Sequence, residues 1–273
     1  MRSAVLALAL GAVLFMLVLV LWSDRFIFLP ARGGDWGAAG RAPYPIEGVT
    51  LTTADGVRLF SWHLHVERPR CTVIYFHGNA GNLVDRLPQI VSLGRIGADV
   101  LIVGYRGYGR SEGSPSEEGV YRDAEAAYRY LLGERGVPPA RLVIFGESLG
   151  SGPAIELASR EPCAGLVLQS AFTSVRDMAA LAIPFLPVHW FIRTRFDNLA
   201  KISRIGAPKL FIATRTDEVV PSVQTRRLYE ASSEPRAWIE FAGCGHNDLY
   251  ALHEREWSRA IADFIARVAG HED

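Results

Sequence analysis

Five residues, Gly146-Glu147-Ser148-Leu149-Gly150, follow the apolar run RLVIF and set a serine between two glycines in the spacing G-x-S-x-G. That spacing marks a strand-to-helix turn sharp enough to strain the serine backbone and lift its hydroxyl above the sheet edge. The glycines suit such a turn because a missing Cβ lets strand and helix approach closely. A serine hydroxyl attacks a carbonyl only when a base takes its proton, and the base needs a carboxylate to orient it. Both follow the serine in this chain. His246 stands in Gly243-Cys244-Gly245-His246-Asn247-Asp248, just past the apolar run RAWIEFAG. Asp217 follows PKLFIAT and begins TDEVVP, so its carboxylate is expected at the same sheet edge. Glu218 is the alternative acid, while Asp248 lies too close in sequence to His246 to be an obvious orienting partner.

Acyl transfer also places negative charge on the carbonyl oxygen, which two aimed N–H groups must stabilise. The backbone N–H of Leu149, next to the serine, is one candidate. The loop His77-Gly78-Asn79-Ala80-Gly81 after the apolar run VIYF offers the second, with Asn79 preferred and Ala80 as the alternative. His77 reads as a residue that pins this loop. The remaining histidines, His63, His65, His189, His253 and His271, fall in a hairpin, an insertion or a terminal helix and read as packing or surface residues. Gly104-Tyr105-Arg106-Gly107-Tyr108-Gly109 has its glycines in the wrong arrangement for a dinucleotide and reads as a loop beside the site.

These residues need a sheet whose carboxyl edge collects them. Val49 to Thr53 and Val57 to Val66 flank Ala54-Asp55-Gly56 and read as an antiparallel hairpin. Six short apolar runs follow, beginning at Cys71, Asp99, Arg141, Ala164, Pro208 and Arg236, with helical stretches between them. Such alternation indicates an α/β fold: a mostly parallel sheet covered by helices on both faces. Ser114-Pro115-Ser116-Glu117 is read as a capping box with Ser114 as the cap. His253 to Val268 carries the apolar stripe Trp257, Ile261, Phe264, Ile265 and Val268 of a final helix. A short cap is expected at about 172–205, where Ile183-Pro184-Phe185-Leu186-Pro187 and Trp190-Phe191-Ile192 make an apolar surface suited to an acyl groove or a bilayer.

Ahead of the domain, Ala4 to Trp22 runs 19 residues without a charge, long enough as a helix to cross most of a ~30 Å hydrocarbon core. No small-x-small cleavage site follows closely, so residues 1–25 are expected to be an uncleaved single-pass anchor, 26–45 an irregular tether and 46–273 the catalytic domain. Arg2 before the span against Arg25, Arg32 and Arg41 after it leans toward a cytoplasmic catalytic domain by a small margin. Lys plus Arg and Asp plus Glu number 29 each in 273 residues, so no global field recruits nucleic acid. Cys71, Cys163 and Cys244 are far apart, with no zinc or disulfide spacing.

HGNAGN, GYRGYGRSEGSPSE, GESLGSG, TDEVVP and GCGHND together resemble the membrane-anchored α/β-hydrolase domain serine hydrolases, in the branch with protein depalmitoylases and fungal bud-emergence homologues. The likeness spans about Val49 to Val268 and the N-terminal anchor. It implies the α/β-hydrolase fold, the triad Ser148, Asp217 and His246, an oxyanion loop at Asn79 and no metal or organic cofactor. The expected activity is cleavage of esters or thioesters of a small or lipid-like acyl substrate, with an acylated protein also suited. A peptidase of the same triad and a noncatalytic membrane-bound binding protein remain alternatives.

Overall fold

The computed structural model of the chain describes residues 10, 11, 15, 25, 27–184 and 192–269. Eight strands form one sheet: β1 (Ile46–Thr52), β2 (Arg58–Leu64), β3 (Cys71–Phe76), β4 (Ala98–Ile102), β5 (Leu142–Glu147), β6 (Gly165–Gln169), β7 (Lys209–Thr214) and β8 (Arg236–Phe241). Their spatial order is β1-β2-β4-β3-β5-β6-β7-β8. The first two pair as the expected antiparallel hairpin, and β2 meets β4 antiparallel; every other pairing is parallel. Strands β3, β5, β6 and β7 are buried at nearly every position, as strands covered on both faces must be.

Seven α-helices connect and cover the sheet: α1 (Leu87–Arg95), α2 (Glu117–Gly133), α3 (Ser151–Arg160), α4 (Val175–Ala182), α5 (Leu199–Ile202), α6 (Ser222–Ala231) and α7 (Leu249–Val268), counted among the described residues. They divide the apolar core into two clusters, one on each face. Phe145 and Val167 point to the α1/α7 side with Trp257 and Phe264, while Ile144 and Leu168 point to the α2/α3 side with Tyr128 and Ile155. Alternation along each strand therefore sends successive apolar residues to opposite layers.

Three local expectations change. The cap of α2 is Ser116, whose hydroxyl accepts the Gly119 N–H, and not Ser114. Glu117, expected to close a capping box, instead accepts the backbone N–H groups of Arg195 and Phe196 and so ties α2 to the cap. Helix α7 begins at Leu249, with non-helical backbone at His253, a turn earlier than the apolar stripe suggests.

The segment read as an irregular tether is built into the domain. Phe28 is 1% exposed and packs edge-on against Phe196. Pro30 bridges Gly81, and Trp36–Arg41 forms a 3-10 turn whose Trp36 ring contacts Phe60 and Trp62. Packing these aromatic rings against the domain, with Phe28 fully buried, outweighs the local preference of a Gly- and Pro-containing stretch for irregular chain. The expected span from Ala4 to Trp22 lies almost wholly outside the described residues. Among the described residues no helix is long and apolar enough to cross a membrane.

Candidate active site

Strand β5 ends at Glu147, a 3-10 turn takes Ser148 to Gly150, and α3 starts at Ser151. Ser148 has φ +51°, a left-handed conformation that costs an L-residue roughly 1–2 kcal/mol. The reason Gly146 and Gly150 flank it is steric. A Cβ at Gly150 would stand 2.1 Å from the Phe76 carbonyl oxygen, and one at Gly146 would stand 2.6 Å from the Ala154 Cβ. Only glycine lets β3 and α3 close around the turn.

Ser148 Oγ lies 3.0 Å from His246 Nε2. On the far side of the ring, His246 Nδ1 is 2.9 and 2.8 Å from the two oxygens of Asp217. The three residues predicted from sequence thus meet in one line, although 98 positions separate Ser148 from His246. Asp217 sits just past β7 and Ser148 just past β5, with β6 between them, so parallel pairing delivers both to one edge.

The Asp217 carboxylate is closely held. Its Oδ1 accepts the N–H groups of Val219 and Val220 at 3.0 and 2.7 Å, and its Oδ2 accepts the Ser170 hydroxyl at 2.9 Å. Burial pushes its pKa up, but the bond to His246, the charge of that ring, and the Val220 and Ser170 donors outweigh burial and hold it below the usual value. Glu218, the alternative acid, instead accepts the backbone N–H of His246 at 3.1 Å. Asp248 accepts the Gly245 N–H at 2.5 Å and so braces the histidine loop without reaching the ring.

Asn79 and Leu149, the expected oxyanion donors, both line the cavity that opens on Ser148. Ala80 is exposed and is not part of that lining. The Asn79 side chain has a separate duty: Oδ1 accepts the Leu29 N–H and the Tyr108 hydroxyl, and Nδ2 donates to the Ile27 carbonyl. His77 is fully buried, with Nδ1 2.7 Å from the Gly78 carbonyl, and burial pushes its pKa down to about 4. It pins the loop, as its position suggests. Tyr105 of the Gly-rich loop donates to the His77 carbonyl at 2.9 Å, which makes that loop a support for the site.

The cavity measures about 500 Å³. Ile27, Phe172, Val175, Met178, Ile183 and Val220 are among its walls, so apolar side chains surround the serine on the cap side. Of the apolar cap residues singled out in the sequence, Ile183 and Ile192 line it, whereas Phe185, Leu186, Pro187, Trp190 and Phe191 lie outside the described residues.

Several participants were not evident beforehand. Ser170 follows β6 with φ +47° and anchors Asp217. Glu147 lies beneath the turn, where it accepts from Tyr75 Oη at 2.5 Å and from Arg86 Nε at 3.1 Å. Burial raises its pKa, yet Arg86 and Tyr75 together bring it below the ordinary value, so the carboxylate is charged. The only prior signal for either was a polar residue at the carboxyl end of a predicted inner strand.

The profile of the alpha/beta hydrolase fold matches residues 72–198. The chain is 35% identical over 235 residues to the bem46 protein of Schizosaccharomyces pombe, covering 81% of this chain and 76% of that one. It is 33% identical over 228 residues to an uncharacterized membrane protein of Saccharomyces cerevisiae, covering 81% and 80% respectively. Among solved structures, an esterase of Pyrococcus furiosus superposes with a TM-score of 0.74 over 89% of this chain and 98% of the esterase, at 21% identity, a likeness of fold. The chain belongs to the α/β-hydrolase fold family, in the branch that holds bem46 and its relatives.

Proposed function

We propose that the protein is a serine hydrolase that cleaves carboxylic esters or thioesters through an acyl-enzyme. The observation that carries this reading is the unbroken contact chain Asp217, His246, Ser148, which ends at an apolar cavity. Ser148 Oγ attacks the carbonyl carbon as His246 Nε2 takes its proton, and Asp217 holds the ring by Nδ1 and stabilises the positive charge. The tetrahedral oxyanion rests on the N–H groups of Leu149 and Asn79. On collapse, His246 returns the proton to the departing alcohol or thiol, and water, activated by the same histidine, frees the acid.

The cavity's size falls within the range of small-molecule sites, and its apolar walls favour the hydrocarbon part of an acyl group. Residues 4–22 serve in this reading as a membrane anchor. Their unbroken apolar run supports it, as does the description of the yeast relative as a membrane protein.

Hydrolysis of matched p-nitrophenyl esters from acetyl to palmitoyl by wild type and Ser148→Ala tests the assignment. Turnover that needs Ser148, with Ser148-dependent labelling by a fluorophosphonate, is expected. A matched set of thioesters and aminoacyl amides ranks the bond types, and amide cleavage above both esters would make the protein a peptidase. No turnover and no labelling of the folded wild type would refute a hydrolase.

A further inference from the structure

Two histidines and an aspartate converge at the sheet edge remote from Ser148. His63 lies on β2 and His65 just past its last residue, Leu64; two residues apart along extended chain, both rings leave the same face, with centroids 4.2 Å apart. In the antiparallel pairing of β2 with β4, His63 faces Leu101 and Leu64 faces Val100, which brings Asp99 opposite His65. Asp99 stands at the start of β4, the amino edge of the parallel strands, whereas Ser148 stands at the carboxyl edge. One donor atom from each of the three lies within 4.8 Å of the others.

His63 is the anomaly. It is 2% exposed, and neither ring nitrogen has a hydrogen-bond partner among the described residues. An unpaired buried imidazole is costly, so a partner is to be expected. Asp99 is already aimed: Oδ1 accepts the Val66 N–H at 2.7 Å, leaving Oδ2 3.8 Å from His65 Nδ1. That gap is too long for a hydrogen bond but close to the ~3.3 Å between ligand atoms around tetrahedral zinc. The other nitrogen of His65 lies 3.3 Å from Glu47 Oε2, the position a carboxylate takes behind a metal-ligating histidine.

We propose that His63, His65 and Asp99 bind a divalent transition-metal ion of the zinc type, with Glu47 orienting His65 from behind. Two imidazoles and one carboxylate suit zinc better than calcium or magnesium. The partly exposed side chains of His65 and Asp99 give access and leave a coordination position for water. Arg135 opposes the ion, since its guanidinium lies 3.3 Å from His65 Nε2 and 3.5 Å from Glu47 Oε2. With metal bound, Arg135 pairs with Glu47 alone. The ion staples the hairpin strand β2 to β4 and is independent of the chemistry at Ser148.

The full chain, stripped with chelator, is titrated with Zn²⁺ by calorimetry and with Co²⁺ by visible absorption. One saturable equivalent, a tetrahedral cobalt spectrum and a Tm that rises with zinc are expected. His63→Phe, which fills the buried ring's place, and Asp99→Asn, which keeps an oxygen for the Val66 N–H, each weaken binding at least ~10-fold, with folding verified by circular dichroism. Glu47→Gln weakens it roughly 10-fold as well, and Arg135→Gln tightens it. Absence of saturable binding by wild type overturns the proposal, as does unchanged affinity in folded His63→Phe or Asp99→Asn.

Discussion

Asn79 holds Leu29: its Oδ1 accepts the Leu29 backbone N–H at 2.9 Å while the same residue lines the cavity over Ser148. The chain that emerges from the apolar N-terminal run is thereby fastened to the loop beside Ser148. Ile27, whose carbonyl accepts from Asn79 Nδ2, is itself a wall of that cavity. Asn79→Ala keeps the backbone N–H but releases the loop, and in the proposed reaction a displaced oxyanion donor costs rate even when the fold survives. Steady-state kinetics on the best p-nitrophenyl ester should show kcat lowered about 10-fold to 100-fold with the Tm little changed; an unaltered kcat would separate the clamp from catalysis.

Ser148 holds a strained backbone at the tip of its turn. Because φ is +51°, alanine is as strained there as serine, whereas glycine is not. Both Ser148→Ala and Ser148→Gly should lose at least ~10⁴-fold in kcat, and His246→Ala should add no further loss to either. In urea unfolding the glycine variant should exceed the alanine variant by about 1 kcal/mol, the reverse of the order found in an ordinary helix or strand.

Ser170 acts through Asp217. Its hydroxyl is one of the donors that keep that carboxyl below its ordinary value, so the charged form is favoured in the folded state. A depressed carboxyl stabilises the fold above the unfolded value near pH ~4, and the contribution disappears as pH falls through the lower folded value. Ser170→Ala should therefore narrow the stability advantage of neutral over acidic pH, a difference read by urea titrations between about pH 3 and 7. It should also lower kcat several-fold with KM unchanged, since the substrate does not need Asp217 in order to bind.

Arg106 is buried against two carboxylates: Nε donates to Asp123 at 2.8 Å, and its terminal nitrogens donate to Asp55 at 2.8 and 3.0 Å. Asp123 is fully buried, and burial raises its pKa to about 6 despite that partner. Arg106→Ala leaves an uncompensated buried carboxylate and should cost about 3–5 kcal/mol in denaturant unfolding. Adding Asp123→Asn should return part of that loss, and a strictly additive double variant would disprove the coupling.

The amino-acid sequence by itself determined the glycine-flanked turn at Ser148, the chain order of Ser148, Asp217 and His246, and the alternation of strands with helices. Each of these is local: glycine spacing, apolar periodicity, and a polar residue just past a strand. The tertiary structure alone decided what supports them. Tyr75 reaches Glu147 across 72 positions because β3 and β5 are neighbours, Arg86 reaches it across 61 from the residue just before α1, and Ser170 reaches Asp217 because β6 adjoins β7. The segment before residue 46 read as an irregular tether because it mixes Gly and Pro with scattered aromatics, yet burial of Phe28 and the Asn79 bonds make it part of the site wall. Neighbouring strands and buried rings are long-range facts, and no local pattern of residues encodes which distant polar groups will share one low-dielectric pocket.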